Sequence, residues 1–506
     1  MLSGKLNMLR LSPRPGCRAG ATLLALVLAG CTVGPNYKKP SAAIPNGYKE
    51  AGWQIAQPAD AVDRGAWWSI YRDPVLDGLE RQIDISNQNL KASEASFREA
   101  EAIVTAARAQ YFPTVTGSGS GTRSRTPGGG AGGGKGSISN SFSLDAGASW
   151  TPDLWGRIRR TVEGDVANAQ ASAGDLASAR LSAQGSLASD YMQLRIADEL
   201  QRLLQASVRA YTESLRITQN QYSGGTADQS AVSQAQAQLD STQAQLIAVG
   251  VTRAQLEHAI AVLVGKPPAQ FSIAPSTAML AIPFIPPELP GAILQRRPDI
   301  AAAERRMAAA NAQIGVAEAA FFPDVTLSAD AGTMAAMIQR LFSAASRTWS
   351  FGGSAVQTLF DGGANRAAVA QARAAFDATV ADYRQSVLTA LQQVEDELAA
   401  LRILADQAKA EEAAVAAARE AERVINNQYR AGTVAYTSVI VAETTALGDA
   451  ETAVNIRQSR LVASVALIQA LGGGWDTSQL PGRDRIESDQ PLDFNPLPPA
   501  DAWPKL

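Results

Sequence analysis

Two helical stretches too long for any compact domain dominate this chain of 506 residues. Residues 156–221, and again 363–428, run for 66 residues without a proline, rich in Ala, Gln, Leu, Arg and Glu. At about 1.5 Å per residue, each would span roughly 100 Å if unbroken. A helix of that length finds no single-domain core to lie on and belongs to a coiled-coil-like assembly. Gly225-Thr226 and Gly432-Thr433 then reverse the chain, because glycine accepts the positive φ that closes a helix C-terminus. Return helices are expected over 227–264 and 434–471. Aromatic residues are only 6% of the chain, so much of the packing is between small side chains, as where helices approach closely.

The two stretches belong to a tandem duplication, the pattern to look for before any other. Asn89-Leu90-Lys91-Ala92-Ser93-Glu94 answers to Asp299-Ile300-Ala301-Ala302-Ala303-Glu304, and Tyr111-Phe112-Pro113 to Phe321-Phe322-Pro323, both 210 residues on. Asn220-Gln221-Tyr222 and Gly225-Thr226 answer to Asn427-Gln428-Tyr429 and Gly432-Thr433, 207 residues on. Each repeat reads helix, strand, loop, strand, long helix, turn, helix. Repeat 1 covers 76–266 and repeat 2 covers 299–474, with a Pro-rich linker over 267–298 and a tail over 475–506.

Strands are expected at about 114–125, 140–151, 324–334 and 347–359. Phe142, Leu144 and Trp150 alternate with Ser143, Asp145 and Ser149; Val325 and Leu327 alternate with Thr326, Ser328 and Asp330. Trp349 and Phe351 continue the apolar set before the alternation slips at Gln357. Alternation over about ten residues suits a strand with one face to lipid and one to a wet lumen, although a soluble sandwich produces it too. On the membrane reading, Phe142, Leu144, Trp150, Val325, Leu327, Trp349 and Phe351 face lipid, while Asp145 and Asp330 face the lumen. Four strands cannot close a membrane barrel, whose minimum is about eight. Two chains would supply eight strands and three would supply twelve.

Residues 1–30 form a targeting segment, excluded from fold reasoning. Lys5, Arg10, Arg14 and Arg18 precede an apolar run from Ala19 to Ala29, shorter than the roughly 20 residues of a transmembrane helix. Leu28-Ala29-Gly30-Cys31 resembles a bacterial lipobox, making Cys31 the expected acylated N-terminus of the mature chain. Processing there shifts the formal charge from −3 to −7. Residues 31–75 then read as a lipid-anchored extended segment. The acidic balance speaks against nucleic acid as a partner. With one histidine, His258, and two cysteines, no His-rich metal site, Cys-x-x-Cys motif or disulfide framework can be built, and no cofactor is expected. Nor does the chain carry a nucleotide loop or a nucleophile–base set, so an enzyme is the weakest reading.

Arg297-Pro298-Asp299-Ile300, Ala303-Glu304 and Phe321-Phe322-Pro323 resemble the signature stretch of the outer-membrane factor family, the TolC-like and NodT-like lipoprotein channels of tripartite efflux systems. Cys31-Thr32-Val33-Gly34-Pro35, Trp67-Trp68, Asp153-Leu154-Trp155-Gly156-Arg157 and Leu359-Phe360-Asp361-Gly362-Gly363 agree with it, and the similarity covers nearly all of the mature chain. The resemblance implies an α+β membrane protein: a homotrimer forming a 12-stranded transmembrane β-barrel in the outer membrane, continued by an α-helical barrel through the periplasm. It implies two partners, a periplasmic adaptor (membrane fusion protein) and an inner-membrane pump of the RND type. The function then expected is a passive exit duct for small molecules such as drugs. The alternatives are the duct of a type I protein secretion system and, in another class, a lipid-anchored periplasmic coiled-coil scaffold.

In that setting the turns become candidate gate elements: Tyr222, Gly225, Thr226 and Asp228 in repeat 1, with Tyr429, Arg430, Gly432, Thr433 and Val434 in repeat 2. Their threonine hydroxyls are expected to cap the helices that follow. Arg430 and Asp228, each present in one turn only, are a candidate charge latch between neighbouring tips. Family members often carry an acid just after the second tip glycine, where this chain has Thr433, Val434 and Ala435. Asp299 and Asn89 are read as helix N-caps.

Overall fold

The computed structural model describes residues 32–50, 65–127, 137–278, 280–285 and 293–487. The targeting segment with Cys31, the glycine-rich stretch Gly128 to Gly136 and the end of the tail lie outside the described residues.

Repeat 1 contains α1 (Pro74–Ser86), α2 (Gln88–Ala109), β1 (Thr114–Thr126), β2 (Ser137–Trp150), α3 (Arg157–Ser223) and α4 (Gln229–Leu263). Repeat 2 contains α5 (Pro298–Ala319), β3 (Asp324–Ala335), β4 (Arg347–Val356), α6 (Ala364–Arg430) and α7 (Tyr436–Ala470). A four-residue helix, α8 (Arg483–Ile486), follows. Both long helices have 67 residues and both return helices 35, so each repeat is a hairpin with arms of unequal length. A glycine at left-handed φ opens each long helix, Gly156 at +82° and Gly363 at +96°. Beside it an aspartate satisfies free N–H groups. Asp153 accepts from Ile158 and Arg159, and Asp361 from Gly363 and Asn365.

Two capping expectations need correction. Asn87, one residue before α2, is its cap and accepts from Leu90 N at 2.9 Å; Asn89 lies inside the helix. At α5 the cap position is Arg297 and Pro298 is the first helical residue; Asp299, inside the first turn, accepts from Ile300 N at 2.9 Å and also holds the Arg297 guanidinium at 2.6 and 3.0 Å. Proline suits that position because its missing N–H is one the helix would leave unbonded.

The four strands form one antiparallel sheet in the order β1-β2-β3-β4. The largest cluster of buried residues lies between the short helices and the long ones, where Leu76, Ile83, Leu187, Tyr191, Met192, Ile260 and Leu461 meet. A second cluster holds the tips together. Between them α4 leaves Ile247, Val251 and Val262 exposed. By length and composition α4 could cross a membrane. Its Arg253, however, is held by Asp198 at 2.7 Å and Glu257 at 3.0 Å, fixing it beside α3. Exposed apolar residues on so long a helix call for a neighbouring chain.

Candidate channel wall and periplasmic tips

Successive side chains of a strand alternate between faces, so the register sorts the strand residues. Trp150 lies opposite Leu327, Leu144 opposite Thr333 and Phe142 opposite Ala335. Val325 pairs with Ala355, while Trp349 and Phe351 pair with Ala331 and Ala329. All seven candidate lipid-facing residues therefore share one face. Asp145 and Asp330 share the other, packed over glycines: a Cβ at Gly332 would lie 2.2 Å from the Asp145 carboxylate, and one at Gly147 would lie 2.8 Å from that of Asp330. Any larger residue at Gly332 would drive Asp145 from its position.

Aromatic residues crowd the junction of sheet and helices. Trp150 donates its indole N–H to Tyr111 O at 3.0 Å. Trp155 donates to Pro323 O at 2.8 Å and stacks on Phe322, centroids 4.8 Å apart. The segment that would begin at Cys31 ends here as well. Val33 N donates to Trp155 O, and Arg160, almost fully buried, donates to Val33 O, Gly34 O and Asn36 Oδ1 at 2.9–3.1 Å. Gly34, with φ +93°, passes so close to Gly315 that a Cβ on it would lie 2.4 Å from the Gly315 Cα. The strap continues along α5 and α6 through Tyr37 to Glu304 (2.7 Å) and Glu50 to Arg402 (2.8 Å).

At the far end, Gly225 and Gly432 adopt φ +75° and +74° with open space around them; the φ, not crowding, demands glycine. Each turn closes by two backbone bonds, Gly225 N to Tyr222 O with Thr226 N to Gln221 O, and Gly432 N to Tyr429 O with Thr433 N to Gln428 O. The threonines do not cap the next helices. Thr226 Oγ1 donates to Gln221 O and Thr433 Oγ1 to Gln428 O, because the backward turn leaves helix-end carbonyls, not N–H groups, within reach.

The two turns differ in their surroundings. Tyr222 is exposed, whereas Tyr429 is buried, donates to Thr218 Oγ1 at 3.1 Å and packs 5.2 Å from the Tyr436 ring. The Tyr436 hydroxyl lies 3.3 Å from Ser214 Oγ, and Tyr211 donates to Glu443 O at 3.1 Å. Val434 packs against this cluster. The side chain of Asp228 makes no cap bond to α4. Arg430 acts on Glu213, already paired with Arg216 at 2.6 Å, and no pair with Asp228 forms within the chain among the described residues.

The sequence reading missed Glu443. Its side chain is buried between α3, α6 and α7, with one carboxyl oxygen lacking a partner. Burial, reinforced by Glu422 on α6, raises its pKa from 4.5 to about 7, against smaller opposing pulls from Asn426 and Ser214. The signal was an acid on the buried stripe Tyr436, Val439, Glu443, Ala446, Leu447 and Ala450 of α7, where helical spacing demands apolar residues. Among the described residues, no three side chains are placed to hold a metal ion.

A sheet open at both edges, joined to helical hairpins about 100 Å long, defines a subunit of an oligomeric transmembrane conduit. The family model for outer membrane efflux proteins matches residues 80–266 and 289–473, and the chain belongs to that family. It is 30% identical to the antibiotic efflux pump outer membrane protein ArpC of Pseudomonas putida, over 89% of this chain and 94% of that protein. It is 27% identical to the cation efflux system protein CusC of Escherichia coli K12, over 90% and 99% of the two chains. The solved outer-membrane channel OprN superposes with a TM-score of 0.79 at 30% identity, over 88% of this chain and all of that one. The protein is thus an outer-membrane efflux channel whose helices reach into the periplasm.

Proposed function

We propose that three copies assemble into a passive duct that releases small molecules handed over by a periplasmic adaptor from an inner-membrane pump of the RND type. The observation that carries this reading is the pair of unpaired edge strands, β1 and β4, on a sheet of only four strands. Three copies supply twelve strands and six hairpin tips, enough for a barrel with a transport lumen. Relatives of similar identity are named for antibiotics in one case and cations in another, which supports a duct that leaves substrate choice to the pump. In a host deleted for its own channel, co-expression with a matching adaptor and pump should restore drug resistance. Sensitivity unchanged despite outer-membrane trimers would refute the efflux role.

Phe142, Leu144, Trp150, Val325, Leu327, Trp349 and Phe351 form the lipid-facing wall of this barrel, and Asp145 and Asp330 line its lumen. Cys31 carries the lipid anchor. The strap supports this, since Arg160 and Trp155 hold its first residues at the aromatic junction, the level of a membrane surface. Intact-mass measurement of the purified protein should find a triacylated chain beginning at Cys31, and Cys31→Ser should lack that mass while remaining trimeric. An unmodified chain beginning elsewhere refutes the anchor.

The tips from Tyr222 to Asp228 and from Tyr429 to Val434 form the periplasmic aperture. An Asp228–Arg430 pair between neighbouring copies would contribute only about 0–1 kcal/mol as an exposed pair, a latch that docking of an adaptor can release. Replacing both with alanine should raise single-channel conductance in planar bilayers and leave the trimer intact; unchanged conductance removes the latch.

A further inference from the structure

The charged residues of the four strands are fully separated by sign. Asp145, Asp324 and Asp330 lie on one side of the sheet; Arg123, Arg125 and Arg347 lie on the other, with Leu144, Trp349 and Phe351. Arg123 is opposite Asn140, Arg125 opposite Ile138 and Arg347 opposite Thr333, so no acid faces any of them across the strands. All three are exposed, and among the described residues none has an ion-pair or hydrogen-bond partner.

The arginines also gather at one end. In a tilted sheet directly paired residues differ in height: the line from Thr114 through Ser149 reaches Ser328, four residues beyond Asp324, the repeat-2 counterpart of Thr114. Height is therefore counted along each strand from the junction with the helices, where Trp150 and Gln357 donate alike to Tyr111 O and Phe321 O. At about 3.4 Å per residue and a tilt of about 40°, an apolar band about 25 Å tall is crossed in about ten residues. Leu144, six residues from Trp150, lies well inside the band. Phe142 and Trp349, eight residues from Trp150 and Gln357, supply the aromatic girdle near its far edge. Arg347 is ten residues from Gln357, four beyond Phe351, the repeat-2 counterpart of Leu144. Arg125 is eleven residues from Thr114, and Arg123, at nine, extends its flexible stem to the same level.

The other end of the sheet leads into the periplasmic helices, so this rim meets the outer leaflet. We propose that Arg123, Arg125 and Arg347 bind the phosphate groups of the glycolipid that forms that leaflet and so fix the height of the barrel. β1 and β4 are the edges of the sheet, so in a ring of copies the arginines of one chain stand beside those of the next. Guanidiniums gathered without an acid require an anion from outside the protein, and at this level the lipid headgroup supplies it. The planar fork of arginine matches phosphate oxygens two at a time, while the girdle below packs on the acyl chains.

This proposal rests on the lipid-facing wall proposed above, and two readouts separate them. The immobilised full-length protein in neutral detergent is titrated with labelled bisphosphorylated lipid A and with the same glycolipid stripped of phosphate. The parent should hold the phosphorylated form at least tenfold more tightly, and inorganic phosphate at equal phosphorus should not displace it. Arg→Gln at all three positions should weaken binding by about fivefold per arginine, on the order of a hundredfold in total. Arg→Lys at all three should recover most of it, and Arg366→Gln, at the start of α6, should match the parent. If the triple glutamine variant does not assemble, Arg347→Gln alone reads the fivefold loss. Equal binding of both glycolipids, displacement by inorganic phosphate, or glutamine variants that bind like the parent overturn the proposal. Lipids with brominated acyl chains test the wall separately, since they should quench a fluorescence signal that Trp349→Phe removes. Quenching without a preference for phosphate overturns the proposal alone; no such quenching overturns the wall and the proposal with it.

Discussion

Arginine in place of Leu144 should dissociate or prevent the trimer, at a cost of about 2–4 kcal/mol per chain if the site lies near the bilayer midplane. Leu144 sits six residues from the junction end of β2 at Trp150, roughly 20 Å along a tilted strand and near the middle of an apolar band about 25 Å tall. Leu327 lies opposite Trp150, at the junction itself. Arginine there reaches the interfacial water, and the expected cost falls to about 0–1 kcal/mol. The control is Asp145→Arg, on the opposite face, where the charge meets a wet lumen and the trimer should survive. The readout is the temperature at which detergent-solubilised trimers dissociate on semi-native gels. A Leu144→Arg trimer as stable as the parent would mean that this face does not meet lipid.

Glu443→Gln should stabilise the tips at neutral pH and leave them unchanged in acid. The packed state holds the Glu443 proton up to about pH 7, while the solvated carboxyl releases it near 4.5. Between those values the separated hairpins bind fewer protons than the packed ones, so packing weakens as pH rises. Below about 4.5 both states are protonated and the full stability is present; above about 7 the loss is complete. At about 1.36 kcal/mol per pKa unit, the loss is on the order of 3 kcal/mol per chain. Glutamine keeps the neutral shape and removes the ionisation. The variant's melting temperature should exceed the parent's at pH 8 and match it near pH 4.5. Glu80, also buried and with its pKa raised to about 9 by burial and then by Asp84 and Asp77, adds a background slope that is the same in both proteins. A gain equal at both pH values would show that the effect is packing alone.

Much of this architecture was legible in the chain because its signals are periodic and local. Helix length follows from the absence of proline, the turns from Gly225 and Gly432, and the strand faces from alternation around Leu144 and Leu327. Where one side chain chooses among several backbone partners, local reading erred. Thr226 and Thr433 turned back to the preceding helices, and Asp299 took the Arg297 guanidinium as well as Ile300 N, because the competing groups lie at distances that only the folded backbone sets. Tyr222 and Tyr429 occupy the same place in the two repeats, yet one faces solvent and the other is bonded to Thr218. Both follow Asn-Gln and both precede the turn glycine by three residues; what differs is which helices lie beside each tip.

The sequence by itself determined the duplication, the two hairpins, four strands too few to close, and hence the need for further copies. Each of these depends on spacing along one chain, which burial and backbone geometry translate directly into helix, turn or strand. Only the tertiary structure decided the contacts between elements far apart in the chain. It set the strap held by Arg160, the register of β2 against β3, and the burial of Glu443 among α3, α6 and α7. Those contacts form between separate elements, most of them more than a hundred positions apart, where interhelical distance and crossing geometry, not sequence spacing, determine which polar groups lose water and which find a partner.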